Sequence, residues 1–370
     1  MRKSILSKIY TIAITVAFVF GQIAILASKG ATTTGAVLVL VGVLLAFIVA
    51  PMAHEAGHVV FAKLAKMQIQ YVKFFCFSTQ RVGGKYALTL INPFLADQTQ
   101  VIPTCGGNMQ KRAEKYTVGG LVFSGILVLL LAVCTIVFSV LQIENALTLG
   151  MIPYSAYLFF LNAAPFEYAD GKTDCAVYSG LKRGDERAKT MLSFMEIQGR
   201  LFEDTRYSEI SEELFNFPVL AEDEPMFLIG WDLKYRRALD EWDLEKAAAC
   251  MKRMSQAESY FTAAEREKFA AELTYLHALS GNFDAANACS KYCEEFLKGD
   301  TPTAKRILAT VAFCANRQED AEILKQSGLS LLENMEIYGE KKLEESLLGR
   351  INFDDLHTLK KENDYERTNN

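Results

Sequence analysis

Residues 30–53 read GATTTGAVLVLVGVLLAFIVAPMA, and the five residues that follow are His54-Glu55-Ala56-Gly57-His58. The first stretch carries no charged side chain, and its length is enough to cross the ~30 Å hydrocarbon core of a bilayer as a helix. Helix residues four positions apart share one face, so the two imidazoles can hold one Zn²⁺ between them. Glu55 lies beside them and can take a proton from an attacking water. The sequence therefore predicts a hydrolytic metal site at the end of an apolar helix.

The apolar residues of this chain are concentrated in its first half. Of its 370 residues, 51% are hydrophobic, yet the mean hydropathy is only +0.11. Uncharged runs cover residues 9–28, 30–53 (resuming at 59–62), 116–143 and 145–166, each close to the ~20 residues of a membrane-spanning helix. We therefore expect a polytopic α-helical membrane protein with about four transmembrane helices. The first span occupies residues 1–34, and a membrane core occupies residues 35–180.

The distribution of basic residues predicts the orientation of the four spans. With four crossings, the basic residues at the N-terminus, those between residues 63 and 115, and those after the fourth run all lie on one side. Lys29 and Glu144 alone occupy the short opposite loops. Because cytoplasmic loops carry the excess of Lys and Arg, both termini are predicted to be cytoplasmic in a multi-pass protein of the cell membrane. The eight cysteines then lie in the membrane or in the reducing cytosol, where a disulfide framework is not expected.

A metal held by two histidines needs at least one further protein ligand, and Asp170 is the candidate. Pro165 should break or kink the fourth helix and leave this carboxylate at the same cytoplasmic depth as the two histidines. An acid at membrane depth is costly, so pairing with a cation or a metal is the expected reason for its presence, and an interfacial acid at a helix end is the alternative. On geometry alone, Glu167 or Asp174 could replace Asp170.

The two segments together resemble a known family. An H-E-x-x-H motif in a transmembrane helix, followed two spans later by Asn162-Ala-Ala-Pro-Phe-Glu-Tyr-Ala-Asp170-Gly171, resembles the site-2 protease (M50) family of intramembrane zinc metalloproteases. The resemblance covers roughly residues 35–175. It implies that His54, His58 and Asp170 bind zinc. It also implies that Glu55 is the general base and that Asn162 faces the scissile peptide and helps to hold its carbonyl.

One segment departs from the family pattern. The family often has a Gly-Pro-x-x-Asn element at the start of its middle core helix. Here Gly119-Gly-Leu-Val-Phe-Ser124 has Leu and Ser where Pro and Asn would stand. This departure bears on how substrate is held rather than on metal binding.

Between the metal helix and the third span, residues 69–78 and 85–91 are rich in aromatic and β-branched side chains and are bounded by Gly and Pro. They predict a small β-hairpin insertion at the cytoplasmic face. A strand edge beside the metal can pair with an unwound substrate segment. A purely structural hairpin that caps the helices is the alternative.

Residues 185–360 are charged and predicted to be helical, and they carry no catalytic cluster of their own. Ala247, Ala286 and Ala321 recur at intervals of 39 and 35 residues, near the ~34-residue period of tetratricopeptide (TPR) helix pairs. An all-α, TPR-like cytosolic domain is predicted, with an ordinary helical bundle as the alternative. A TPR-like domain implies a protein partner, and the lack of a basic stripe argues against nucleic acid. Residues 361–370 are expected to be a frayed tail.

These observations favour a zinc-dependent endopeptidase that acts on membrane-protein or membrane-peptide substrates in the lipid bilayer. Regulated intramembrane proteolysis and clearance of membrane peptides are the two roles that fit this activity. A non-catalytic membrane scaffold is one alternative, although a purely structural zinc site has no need of Glu55. A membrane metallopeptidase that trims exported peptides is another.

Overall fold

The computed structural model describes residues 2–351, apart from residues 75, 83–84, 93–97, 105–106, 169–170 and 219. The chain divides into two compact units, Met1–Met195 and Glu196–Asn370. The predicted tail at residues 361–370 lies outside the described residues. Within the described part, the first unit contains four helices that are long and apolar enough to cross a membrane, the number predicted from the uncharged runs.

The first unit alternates long helices with short strands. Its elements are α1 (Arg2–Lys29), α2 (Thr33–Leu64), β1 (Met67–Phe74), β2 (Phe77–Val82), β3 (Lys85–Leu90), β4 (Gln98–Pro103), α3 (Met109–Val140), α4 (Ala146–Ala163), β5 (Glu167–Tyr168), β6 (Gly171–Lys172) and α5 (Asp174–Arg183). Helix α4 ends before Pro165, as the sequence predicts, because proline cannot continue the hydrogen-bond ladder. Helix α3 begins two turns before its uncharged run, and the side chain of Asn108 caps it by accepting from the Lys111 amide.

Helix α2 packs closely against α3 and α4 through glycines. A Cβ atom added at Gly57 would lie 2.2 Å from the carbonyl oxygen of Gly119 on α3. One added at Gly150 on α4 would lie 2.5 Å from the carbonyl oxygen of Val39 on α2. Small residues let apolar helices approach to backbone contact, where van der Waals packing between the helices is close. Helix α2 is therefore held from two sides.

The helix ends follow the up-and-down order predicted from the charges. Lys29, at the end of α1, lies 4.0 Å from Glu144, which joins α3 to α4. At the opposite end, the Arg112 guanidinium on α3 donates to the carbonyl of Ala65, just after α2. The two short connections therefore share one end of the helices, and the segment with the strands lies at the other.

The insertion between α2 and α3 is an antiparallel sheet of strand order β3-β2-β1-β4 rather than a single hairpin. The predicted segment 69–78 contains most of β1 and the start of β2, and the predicted segment 85–91 contains β3. Strand β4 went unpredicted because Gln98-Thr-Gln lacks apolar alternation. Met67 and Ile69 of β1 are buried with Ala62 and Ala65, so the sheet packs on the end of α2.

The second unit is helical throughout its described part. Its elements are the end of α6 (Glu186–Glu203), α7 (Pro225–Asp240), α8 (Leu244–Met254), α9 (Ala263–Leu279), α10 (Phe283–Ser290), α11 (Glu294–Lys298), α12 (Pro302–Cys314), α13 (Gln318–Leu331) and α14 (Tyr338–Gly349), with short 3-10 turns between some of them. Helix α7 packs on α8, α9 on α10, and α12 on α13.

The three helix pairs turn in the same way. Each turn contains one residue in the left-handed region, and these are Trp242 (φ 58°), Gly281 (φ 72°) and Asn316 (φ 58°). In each, the next amide donates to a carbonyl five residues back, at 2.8, 2.9 and 2.9 Å. The left-handed residues recur at the 39- and 35-residue intervals of the alanine anchors, all three of which are buried. The sequence repeat therefore corresponds to a repeated helix-turn-helix structure.

A buried polar cluster links the first helix of each pair. The Arg306 guanidinium on α12 donates to Glu272 on α9 at 2.8 Å and to Glu344 on α14 at 2.8 Å. The Tyr235 hydroxyl on α7 donates to Glu272 at 2.7 Å, and the ring of Tyr275 lies 4.1 Å from the guanidinium carbon. Removing one partner of such a cluster leaves an uncompensated buried charge.

Candidate metal centre

Helix α2 places the two histidines of the motif one turn apart and inside the protein. His54 and His58 are each 7% exposed, and Glu55 is 5% exposed. The ring centroids of His54 and His58 lie 4.9 Å apart. The same burial of three polar side chains near the end of an apolar helix is unfavourable unless each finds a partner. The partners come from α3, α5 and β4.

Asp174 is held at the first position of α5. Thr173 caps this helix, since its hydroxyl accepts from the Ala176 amide at 3.2 Å. The same hydroxyl donates to the carbonyl of Ala164, just after α4, at 2.5 Å. Thr173 thereby ties the end of α4 to the start of α5. This contact places the Asp174 carboxylate against the face of α2 that carries the histidines.

The three side chains converge on one point. Nε2 of His54 lies 3.3 Å from Oδ2 of Asp174, and Nε2 of His58 lies 3.2 Å from the same oxygen. One ligand atom from each residue lies within 4.8 Å of the others. Tetrahedral zinc with bonds of about 2.1 Å separates its ligand atoms by about 3.4 Å. The two separations from Oδ2 of Asp174, 3.3 and 3.2 Å, are close to this value.

The protonation pattern of the cluster also suits a cation. Nδ1 of His58 lies 3.1 Å from the carbonyl oxygen of Tyr116, which can only accept, so Nδ1 carries the proton. A neutral His58 then turns an Nε2 lone pair toward Asp174, whose Oδ2 is buried without a hydrogen bond. Burial raises the pKa of Asp174, whereas protons on the facing nitrogens of the two imidazoles outweigh burial and lower it to about 2. Facing lone pairs on an ionised acid and a neutral ring need either a proton or a metal between them.

Asp174 is thus the acid that the structure brings to the histidines, one of the alternatives left open by the sequence. Asp170, the predicted third ligand, lies outside the described residues. Glu167 is committed elsewhere, because its exposed carboxylate pairs with Lys172 at 3.2 Å and with Arg187 at 3.2 Å.

Glu55 is oriented by the sheet. The Thr99 hydroxyl on β4 donates to Oε2 of Glu55. The Tyr116 hydroxyl on α3 donates to the Thr99 carbonyl at 2.6 Å and fixes that strand beside the site. Neither Thr99 nor Tyr116 stood out in the sequence, because nothing in the pattern around them marks a site.

Helix α3 supplies a close wall and a second contact to the histidines. A Cβ atom at Gly120 would lie 2.5 Å from Nε2 of His58 and 2.8 Å from Oδ2 of Asp174. Ser124, one turn further, has its hydroxyl 2.9 Å from Nδ1 of His54. Ser124 is the residue that stands where the resembled family has Asn. The residue that departs from the family pattern therefore contacts His54, a candidate metal ligand.

Asn162, predicted to face the scissile peptide, is half-buried on the last turn of α4. Its side-chain amide donates to the carbonyl of Leu158, one turn back in the same helix, at 3.3 Å. This hydrogen bond lies within α4, and the role of Asn162 toward a substrate stays a prediction.

The comparisons with known proteins add no relative. No family model, no curated protein and no solved structure matches the chain.

Proposed function

We propose that the chain is a zinc-dependent endopeptidase that hydrolyses peptide bonds of membrane-spanning substrates, as the resemblance to the site-2 protease family implies. The observation that carries this proposal is the convergence of His54 and His58 on one oxygen of Asp174, with Glu55 buried beside them. In the proposal His54, His58 and Asp174 hold the metal. A structural zinc site would have no use for a buried base at this position.

Bound zinc would supply a Lewis acid that polarises the peptide carbonyl and lowers the pKa of a coordinated water toward ~7. Glu55 takes the proton of the attacking water and returns it to the leaving amine. The Thr99 hydroxyl holds one oxygen of Glu55 and so orients the carboxylate for both transfers. Tyr116 keeps His58 in the tautomer whose Nε2 faces the ligand cluster.

The substrate is proposed to bind as an extended strand. Strand β4 is at the edge of the sheet in the described part of the chain, and Thr99 on this strand contacts the base. Proteolysis requires an extended peptide, since a helix hides its amides and carbonyls, and an exposed strand edge offers partners for both. A membrane segment unwound next to β4 would therefore present its backbone near Glu55.

The proposal also covers the cellular location of the protein and the role of its second unit. We place the four apolar helices across the cell membrane, with both termini in the cytoplasm, on the distribution of basic residues. The repeated helix pairs of the second unit support a TPR-like domain that binds a protein partner and delivers or gates substrate.

Metal analysis and a cleavage assay on the purified full chain test the proposal together. Wild-type protein is expected to hold about one zinc and to cut a single-span membrane substrate. Glu55→Gln should keep the zinc but lose cleavage, because the amide preserves shape without a base. Normal cleavage by this variant would rule out the mechanism.

Two matched variants identify the third ligand. Asp174→Ala should lose zinc, whereas Asp170→Ala should keep it. The reverse result would show that Asp170 completes the site as the motif resemblance implies, and would refute the assignment of Asp174 while leaving zinc binding intact.

A further inference from the structure

A basic cavity lies outside the metal centre, where the end of α2 faces the start of α3. Its volume is about 510 Å³. Its described lining consists of Leu64, Ala65, Lys66, Thr104, Gly107, Lys111, Arg112 and Lys115. Four of these eight residues are cationic, and none is acidic. The cavity belongs entirely to the first unit.

Arg112 holds the walls of this cavity together. Its guanidinium donates to the carbonyls of Ala65 and Lys66, each at 2.8 Å, and to the Thr104 hydroxyl at 2.8 Å. These bonds join the end of α2 to the segment that precedes α3. Arg112 therefore joins the two sides of the cavity through two backbone carbonyls and one hydroxyl.

The three lysines of the cavity are placed to bind a ligand. Lys66, Lys111 and Lys115 are exposed, and none of them forms an ion pair with any residue that the structure describes. Lys115 donates to the Leu64 carbonyl at 3.1 Å, which brings its ammonium over the cavity. Lys111 lies one turn before Lys115 on the same face of α3. Three ammonium groups around a cavity without an acid attract an anion.

An exposed apolar face of α2 continues from the rim of the cavity. Leu64 is 57% exposed at its rim, and Val60, one turn earlier on α2, is 39% exposed. Both belong to a helix that is apolar enough to cross a membrane. A free anion gains nothing from this apolar path, whereas a lipid places its headgroup among the lysines and its acyl chains along the helix. Basic pockets at the ends of spans suit anionic headgroups.

We propose that this cavity binds the phosphate headgroup of an anionic membrane lipid, with Lys66, Lys111 and Lys115 as its ligands. The proposal rests on the membrane location proposed above but not on peptidase activity. Lipid bound there would brace the end of the metal helix against α3.

The test is lipid binding by the purified full chain in detergent. The probe is fluorescent short-chain phosphatidylglycerol, and phosphatidylcholine is the matched probe without net charge. Lys66→Gln/Lys111→Gln should bind phosphatidylglycerol roughly 30-fold more weakly, since each juxtamembrane lysine contributes about fivefold. The control Lys8→Gln/Lys189→Gln removes two exposed lysines of the same unit and should bind like wild type.

Three results would overturn the proposal. The first is equal weakening in the control pair, which would mean diffuse attraction rather than a site. The second is displacement of the lipid by inorganic phosphate at millimolar concentration, which would make the ligand a free anion. The third is loss of binding in Lys66→Arg/Lys111→Arg, a variant that keeps both charges and should bind within about threefold of wild type. Metal content, measured on the same samples, reports separately on the proposed peptidase site.

Discussion

Gly120→Ala should abolish metal binding without removing a single ligand. The added methyl group would meet Nε2 of His58 at 2.5 Å, Cε1 of His54 at 2.6 Å and Oδ2 of Asp174 at 2.8 Å. Ordinary contact begins at 3.4 Å, so the His58 nitrogen would have to move by about 0.9 Å. Metal sites tolerate bond-length changes of only about 0.2 Å. Extra volume in a packed interior also costs about 1–3 kcal/mol of stability.

The assay is zinc content per chain after purification at limiting zinc. Wild type is expected to retain about one zinc and Gly120→Ala close to none. Gly125→Ala is the matched control on the same helix, because the three atoms nearest to its methyl group all belong to the Phe159 ring, the first at 3.3 Å. Full zinc content in the folded Gly120→Ala protein would refute the arrangement of the three ligands around Gly120.

Two further predictions concern the second unit, and tryptophan fluorescence reports on it alone because both tryptophans of the chain, Trp231 and Trp242, lie there. Arg306→Ala should lower the free energy of unfolding by about 3–5 kcal/mol by stranding two buried carboxylates, whereas Arg317→Ala, which alters an exposed pair, should change it by no more than about 0.5 kcal/mol. A loss below 1 kcal/mol for Arg306→Ala would contradict the role given to that cluster. Burial raises the pKa of Asp240, but hydrogen bonds from Arg206 and Ser208 outweigh burial and leave it below its ordinary value. The stability that Asp240 contributes is therefore complete above its unfolded pKa of about 3.9 and is lost as pH falls through the lower folded pKa. Asp240→Asn should flatten the acid limb of the stability profile, and an unchanged acid limb would refute this reasoning.

The sequence by itself was sufficient for features that depend on neighbours along the chain. The spacing of His54 and His58 puts both rings on one face of α2 whatever surrounds it. The absence of charge over some twenty residues identifies each of the four apolar helices. Ala247, Ala286 and Ala321 each stand five positions after the left-handed residue of a repeated turn. Such a turn depends on neighbouring residues, so the repeat could be detected in the sequence.

The tertiary structure decided what depends on residues distant in the chain. The sequence favoured Asp170 and left Asp174 as an alternative, and the Thr173 contact to the end of α4 sets Asp174 against the histidines. Thr99 contacts Glu55 because β4 pairs with β1 in the sheet. The polar sequence of β4 does not predict this pairing. Gly120 matters because α3 packs on α2 at backbone contact. The contacts of Thr99 with Glu55 and of Gly120 with the histidines join residues tens of positions apart, and packing rather than local periodicity determines them.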